Sequence, residues 1–261
     1  MALQASGNSI SLGDIQTEFG GSNGASLSEY YRSNYDSPLV TMLTTANNTN
    51  VPINEEANPE LSLSDFYQGE KYIRVDYEMI PGGGGGAGSV GGTGGNGGGS
   101  GLDTGLNSFF LRDTTSGDSG GNSFTFGGGA GGSPNLYSVS QNGEDSYYGS
   151  GGEGGINHAT LDTDGDPPGA TAYGAGGGSA GTQNAANTGG DGGSAPSRRT
   201  GAIYCKPSTD LDVIVGAGGT GGVGTRRDGG AGAGGYAKIT INGTDTEYTT
   251  PGTHTITIPA T

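Results

Sequence analysis

Val213-Ile214-Val215 runs directly into Gly216-Ala217-Gly218-Gly219-Thr220-Gly221. A strand followed by G-x-G-x-x-G is the fingerprint of a dinucleotide site, in which a helix comes next and its N-terminus takes the pyrophosphate. Here the next residues, GVGTRRDGGAGAGGYA (222–237), are too rich in glycine to hold a helix. No acidic residue ends a second strand about 20 residues on, where the ribose would need one. In a chain with 60 glycines such a match arises by chance, and the stretch reads as a sheet strand entering a glycine helix. Asp162, Asp164 and Asp166 alternate like the start of a calcium loop, but Pro167 stands where that loop needs glycine and Tyr173 where it needs glutamate. His158 and His254 lie far apart with no metal-ligand spacing, and Cys205 has no motif partner. Arg198, Arg199, Arg226 and Arg227 read as local salt-bridge partners in an acidic chain. The sequence therefore selects no catalytic residue, no metal ligand and no cofactor.

Composition limits the possibilities further. The chain has 261 residues, 26 acidic and 10 basic, and a formal charge of −16. Only 30% of its residues are hydrophobic, against about 45–50% apolar in an ordinary globular domain. The acidic balance argues against nucleic acid and anionic membranes as partners, since phosphates need clustered Lys and Arg. MALQASGNSI has neither a basic start nor an apolar run, so synthesis in the cytoplasm without classical export is expected. One cysteine excludes an intramolecular disulfide.

Glycine divides the chain. Residues 1–81 hold 6, residues 82–235 hold 52 and residues 236–261 hold 2. In the first region ISLGDIQ (10–16), ASLSEYY (25–31) and LSLSDFY (61–67) repeat one pattern. Ser11, Ser26 and Ser62 can each cap a short helix, with Asp14, Glu29 and Asp65 three residues on. Gly20-Gly21 would stop the first helix. Leu12, Ile15, Phe19, Leu27, Tyr30, Tyr31, Leu63, Phe66 and Tyr67 could share a small core, with a strand in 38–45. In the second region glycine runs near 82–101, 127–132, 149–155, 174–193 and 216–235 alternate with aromatic segments. Packed side by side as three-residue-per-turn extended helices, such runs can satisfy their backbone groups in one another without side chains. KYIRVDYEMI (71–80), LDVIV (211–215) and the hairpin around Asn242-Gly243 are expected to pair into one closing sheet.

SISLGDIQTEFGGSN (9–23) with SLSEYY and LSLSDFY resembles the N-terminal region of bacteriophage virion structural proteins. VDYEMIPGGGGGAG (75–88), VIVGAGGTGG (213–222) and YTTPGTHTITIPA (248–260) resemble the glycine-rich domain of phage tail-fibre and tail-tip proteins. In relatives the last piece usually precedes the strand entering the glycine runs; here it follows them, so the family's strand order is not carried over. In style, 82–235 is similar to the distal tip adhesins of T-even-like phages, in which packed polyglycine II helices carry receptor-contacting loops. The resemblance implies a mainly β and irregular fold: a small helical attachment domain (1–70), then a glycine-rich domain (71–261) of polyglycine II helices closed by a β-sheet. It implies receptor contact through loops near 102–126, 133–148, 156–173 and 194–210, with Phe109, Phe110, Tyr137, Tyr147, Tyr148 and Tyr173 as anchors. Leu12, Ile15, Phe19, Tyr30, Tyr31, Phe66 and Tyr67 would serve virion attachment. The implied partners are other phage tail or fibre proteins and a bacterial outer-membrane protein or polysaccharide. The implied location is the virion, after synthesis in the host cytoplasm. A homotrimer or a monomer on a trimeric shaft fits the family, although no heptad repeat is present to drive a trimer.

Other classes fit less well. A purely structural virion component would have the same fold without receptor contact. An ice-binding protein would show regular spacing and a flat small-residue face. A depolymerase would need a carboxylate pair in a cleft, and no signal selects one.

Overall fold

A computed structural model of the chain describes residues 8–19, 42–44, 49–51, 69–71, 73–89, 93–103, 110–112, 123–132, 134–137, 141–155, 163–180 and 189–260. The elements are α1 (Leu12–Phe19), β1 (Met42–Thr44), β2 (Thr49–Val51), β3 (Gly69–Lys71), β4 (Ile73–Ile80), β5 (Ser100–Asp103), β6 (Phe110–Arg112) and β7 (Ser123–Phe126). There follow β8 (Pro134–Tyr137), β9 (Gly189–Gly190), β10 (Arg199–Cys205), β11 (Asp210–Val215), β12 (Tyr236–Ile241), β13 (Thr244–Tyr248) and β14 (Gly252–Thr257). The chain is mainly β, with α1 the one α-helix among the described residues.

The first expected helix forms as its capping signal predicts. The Asp14 N–H donates to Ser11 Oγ at 3.2 Å, and the Ser11 N–H donates back to Asp14 Oδ2 at 2.8 Å. The Ser11 hydroxyl donates to the same Asp14 Oδ2 at 2.7 Å, and this bond first, then the one from the Ser11 N–H, holds the exposed Asp14 carboxyl below its ordinary range. Ile15 is fully buried, whereas Leu12 is exposed. The helices expected at 25–31 and 61–67, with Tyr30, Tyr31, Phe66 and Tyr67, lie outside the described residues. The strand expected in 38–45 is β1, which pairs with β2 and β3.

The single closing sheet is corrected to two antiparallel sheets. One has the order β13-β12-β4-β10-β6 and the other β14-β11-β5-β7. The strand expected over 71–80 is also divided: β3 belongs to the β2-β1-β3 sheet, and β4 runs through the middle of the five-stranded one. Asn242 (φ 50°) and Gly243 (φ 76°) make the left-handed turn joining β12 to β13. The chain then crosses at Pro251-Gly252, and β14 joins the other sheet beside β11. Alternation explains the facing. Ile73, Val75, Tyr77 and Met79 of β4 share one core with Ile203, Ile239, Leu102, Leu211, Val213 and Val215 from both sheets. A second correction concerns the expected loops. Segment 102–126 contains part of β5 with β6 and β7, and segment 194–210 contains β10, which pairs with β4 from Arg199↔Met79 to Cys205↔Ile73.

The glycine runs hydrogen-bond to one another with a period of three. Gly82 and Gly85 donate to Gly98 and Gly95, Gly83 and Gly86 to Ala233 and Gly230, and Gly84 and Ala87 to Ser194 and Asp191. The same residues accept, pair by pair, from Gly129 and Gly132, Gly219 and Gly222, and Gly177 and Ala180. Run 82–89 thus has six neighbouring runs, three reached through its N–H groups and three through its carbonyls. Run 174–180 is likewise bonded to 82–89, 141–144, 150–155, 191–194, 228–235 and Asp166. The backbone polar groups find partners in backbone, which removes the penalty that burial otherwise carries. Only glycine permits this closeness: a Cβ on Gly84 would overlap the Ala130 carbonyl, and one on Gly86 the carbonyl of Gly178.

The registers also give direction. Runs 127–132, 174–180 and 216–224 ascend with 82–89, and runs 93–98, 191–194 and 227–233 descend against it. Ascending runs leave β4, β7 and β11, while descending runs lead into β5, β10 and β12. The paired sheets therefore stand at one end of the glycine bundle. At the other end the ascending runs finish at Ser89, Gly132, Ala180 and Gly224.

Candidate functional site

Where β4 meets the bundle, its outer face carries a buried acid. Glu78 sits opposite Lys238 of β12 and Thr200 of β10, and its side chain is 9% exposed. Arg198, just before β10, donates to both carboxylate oxygens: Nε to Oε1 at 2.7 Å and Nη2 to Oε2 at 2.8 Å. The Tyr148 hydroxyl donates to Oε1 at 2.7 Å, and Lys238 Nζ stands 3.9 Å from Oε2. Such a fork-to-carboxylate pair fixes geometry as well as charge.

Two turns deliver tyrosines to this carboxylate. The first links the glycine runs 141–145 and 150–155. The Ser146 N–H donates to the Gly149 carbonyl at 2.9 Å, and the Tyr148 N–H to Ser146 Oγ at 3.2 Å. The second closes through Ala172 N–H to the Gly169 carbonyl and Ala175 N–H to the Ala172 carbonyl, both at 3.0 Å. Gly174 follows at φ 75°, where a Cβ would overlap the Ile80 side chain. Glycine there sets the course of the chain beside Tyr173. Tyr173 stacks on Tyr236 with ring centroids 5.2 Å apart. Tyr148 packs against Tyr173 at 5.8 Å and Tyr236 at 4.8 Å. Tyr147 meets Tyr148 edge-on at 5.2 Å, and the Arg198 guanidinium lies 4.4 Å over its ring. Aromatic pairs of this kind contribute about 0.5–1.5 kcal/mol each beyond burial. Tyr147 nonetheless remains 65% exposed.

Electrostatics makes the cluster a clamp. The Arg198 guanidinium, helped by the Tyr148 hydroxyl, holds the Glu78 carboxyl down at about 2 against the opposing effect of burial. Burial first, then the bond to that carboxylate, pushes the Tyr148 hydroxyl up. Burial also raises Tyr236. The shifts carry the Glu78 titration further below pH 7 and that of Tyr148 further above it, so near pH 7 the carboxylate stays charged, the hydroxyl stays neutral and the pair orients side chains.

Of the anchors expected from sequence, Tyr147, Tyr148 and Tyr173 come together here. Tyr137 does not: β8 pairs with β9, next to Asp191, whose carbonyl accepts from Ala87 toward the opposite end of the bundle. Phe110 lies in β6, paired with Cys205, which corrects its expected place on a loop. Phe109 is outside the described residues. Sequence reading missed Glu78, Tyr236 and Lys238 as members of the cluster. Alternation through Arg74, Asp76 and Glu78 already marked a polar outer face on β4, but the tyrosines covering it arrive from distant turns.

The other candidates separate. Cys205 is buried, and that burial pushes its thiol up to about 12. The His254 ring packs on Tyr248 at 4.9 Å, and its Nε2 lies 2.8 Å from the Thr250 carbonyl oxygen. Asp164 Oδ1 accepts the Asp228 N–H at 3.1 Å. Among the described residues no group of three or more His, Cys, Asp or Glu could hold a metal ion. Gly216–Gly224 is bundle backbone with no helix after it. No protein-family model, no curated protein and no solved structure matches the chain.

Proposed function

We propose that the chain is a bacteriophage tail-fibre or tail-tip protein that binds the host-cell surface through loops on a rigid polyglycine II bundle. The hydrogen-bond period of three, with each central run bonded to six surroundings, supports the polyglycine II assignment. The observation that carries the binding role is the tyrosine cluster. Tyr147 is 65% exposed, yet its base is fixed by Arg198, Glu78 and Tyr148. An aromatic side chain held on such a base loses little entropy when a partner covers it. Residues 1–70, with Leu12 and Phe19 on α1, would attach the protein to other tail or fibre proteins, while Ile15, expected at the attachment surface, is fully buried and would hold α1 in place instead. Residues 71–261 would face outward. The protein would be made in the host cytoplasm and act in the virion, as a homotrimer or as a monomer on a trimeric shaft.

A fluorescent fusion of the full chain, mixed with a panel of Gram-negative isolates, tests this by flow cytometry. Binding to a subset of isolates is expected, with at least a fivefold loss in Tyr147→Ala, whose native fold is verified by circular dichroism because losing the Tyr148 and Arg198 ring contacts lowers stability by only about 1 kcal/mol. Failure of the folded protein to bind any isolate, alone or on a trimerising shaft, would overturn the reading in favour of a purely structural virion component.

A further inference from the structure

The end of the bundle away from the sheets carries a cation that the salt-bridge expectation does not account for. Arg198 pairs with Glu78, Arg74 with Asp76, and Lys238 with Glu78 and Asp245. Arg199 lies over the Phe126 ring at 5.6 Å. The Arg227 guanidinium, by contrast, has no ion pair or side-chain hydrogen bond among the described residues, and it is exposed beside exposed Arg226. The backbone beneath it is fixed. Ser89, buried at the end of run 82–89, donates its N–H and its Oγ to the Arg227 carbonyl, both at 3.0 Å, and its Oγ accepts the Arg227 N–H at 2.9 Å. The Thr225 N–H donates to the Ser89 carbonyl at 3.2 Å. The neighbouring acid is turned to the backbone: Asp228 Oδ1 accepts the Gly224 N–H at 3.0 Å. Val223, on the same turn, is 77% exposed.

We infer that the Arg226–Arg227 turn is an anion-contacting point that takes carboxylate or phosphate groups of a bacterial surface glycan. The chain's charge of −16 does not forbid this, because screening confines the field of distant charges to about 8 Å at physiological ionic strength, and the acids beside the turn, Asp228 and Asp164, each accept a backbone N–H, from Gly224 and Asp228. A guanidinium on a pre-ordered turn is suited to two-oxygen groups, and Val223 offers apolar contact to a sugar ring. This inference rests on the receptor-binding reading.

The test uses the full chain in surface plasmon resonance over immobilised hyaluronate (carboxylate), phosphomannan (phosphate) and dextran (neutral), with cell binding measured in parallel. The wild type is expected to bind one anionic polymer over dextran, and which one identifies the group. Arg227→Gln should weaken this about tenfold, and Arg227→Lys less, with melting unchanged because the Arg227 side chain has no ion pair or side-chain hydrogen bond among the described residues. Equal binding by Arg227→Gln, or no preference of the wild type for either anionic polymer, would overturn the inference. Cells that bind wild type and Arg227→Gln alike would sink the role of Arg227 and leave the receptor reading standing. Cells that bind neither would sink that reading, while the polymer result still decides the turn.

Discussion

Gly85→Ala should destabilise the protein far more than a glycine-to-alanine change on its surface. Gly85 lies in the central run. Its N–H donates to Gly95 at 2.9 Å, and its carbonyl accepts from Gly132 at 2.8 Å. A Cβ there would overlap the Thr220 carbonyl and come within 3.0 Å of the Gly219 oxygen. Both obstacles are backbone, so neither can swing aside as a side chain would. The Thr220 carbonyl already accepts from Gly95 at 2.7 Å. Separating these runs therefore strains that bond together with the two made by Gly85. Overpacking costs about 1–3 kcal/mol, and the three strained bonds add about 1 kcal/mol each. Alanine returns about 0.4–1 kcal/mol by restricting the unfolded chain. The net expectation is a loss of about 3–6 kcal/mol. Gly169 is the control, since a Cβ there meets nothing within 4 Å. Gly169→Ala should be neutral or stabilise by up to about 1 kcal/mol. Urea unfolding followed by tyrosine fluorescence reads both. If Gly85→Ala unfolds within about 1 kcal/mol of Gly169→Ala, no more than the smallest overpacking cost, the backbone-to-backbone account of the bundle is wrong.

Two further predictions concern buried groups. The Glu78 carboxyl is held at about 2, below the ordinary 4.5, so its contribution is full above pH 4.5 and drains as the pH falls through 2. Because Arg198 is 37% exposed, that contribution is about 2 kcal/mol rather than the full linkage value; Glu78→Gln should lose it at pH 6 and flatten unfolding free energy between pH 4.5 and pH 2.5, and an unchanged slope would contradict the clamp. Cys205, buried with its thiol pushed up to about 12, should resist a disulfide reagent at pH 8 until the protein unfolds. Labelling of the native protein as fast as that of a free thiol would refute its placement in the core.

How much of this was legible in the sequence depends on the element. The α1 cap is local: Ser11 and Asp14 are three residues apart, and their bonds follow from that spacing. The Asn242-Gly243 turn is equally local. Two sheets in place of one were not legible, because β13 and β14 look like successive strands of a meander until Pro251-Gly252 sends the second across the core. The glycine region held a readable code that a single pass over 82–99 obscures. That stretch is two runs. The inner one, Gly82 to Gly86, is unbroken glycine with neighbours on every side. The outer one, TGGNGGG (93–99), exposes Thr93 and Asn96 three apart. The same triplet exposes Ser150 and Glu153, then Ala217, Thr220 and Val223, then Asp228 and Ala231. In these outer runs the non-glycine residues fall where the run faces solvent, while the inner runs admit only small buried ones, Ala87, Ser89, Ala175, Ser179 and Ala180, toward their ends. The tyrosine cluster was half legible: residue type marked Tyr147, Tyr148 and Tyr173, but only the run directions bring their turns to Glu78.

Those directions bear on how such a scaffold works. An apolar core is sensitive to every side chain that enters it, so changing a loop rooted there disturbs packing. A run such as 82–89 bonds through backbone atoms, whose chemistry is the same whatever residues connect the runs. Ordering glycine carries the largest backbone entropy cost of any residue. The inner run offsets it by bonding each N–H and carbonyl to a neighbour, so the bundle gains stability from its number of runs rather than from its connections. The paired sheets supply the conventional core at one end, in Ile73, Val75, Met79, Leu211 and Val213. Stability is thus built from the sheets and the run interior, and neither depends on the turn that carries Arg226 and Arg227 beyond the Ser89 bonds to its backbone. A frame built this way can accept different turns without losing the backbone bonds that hold it.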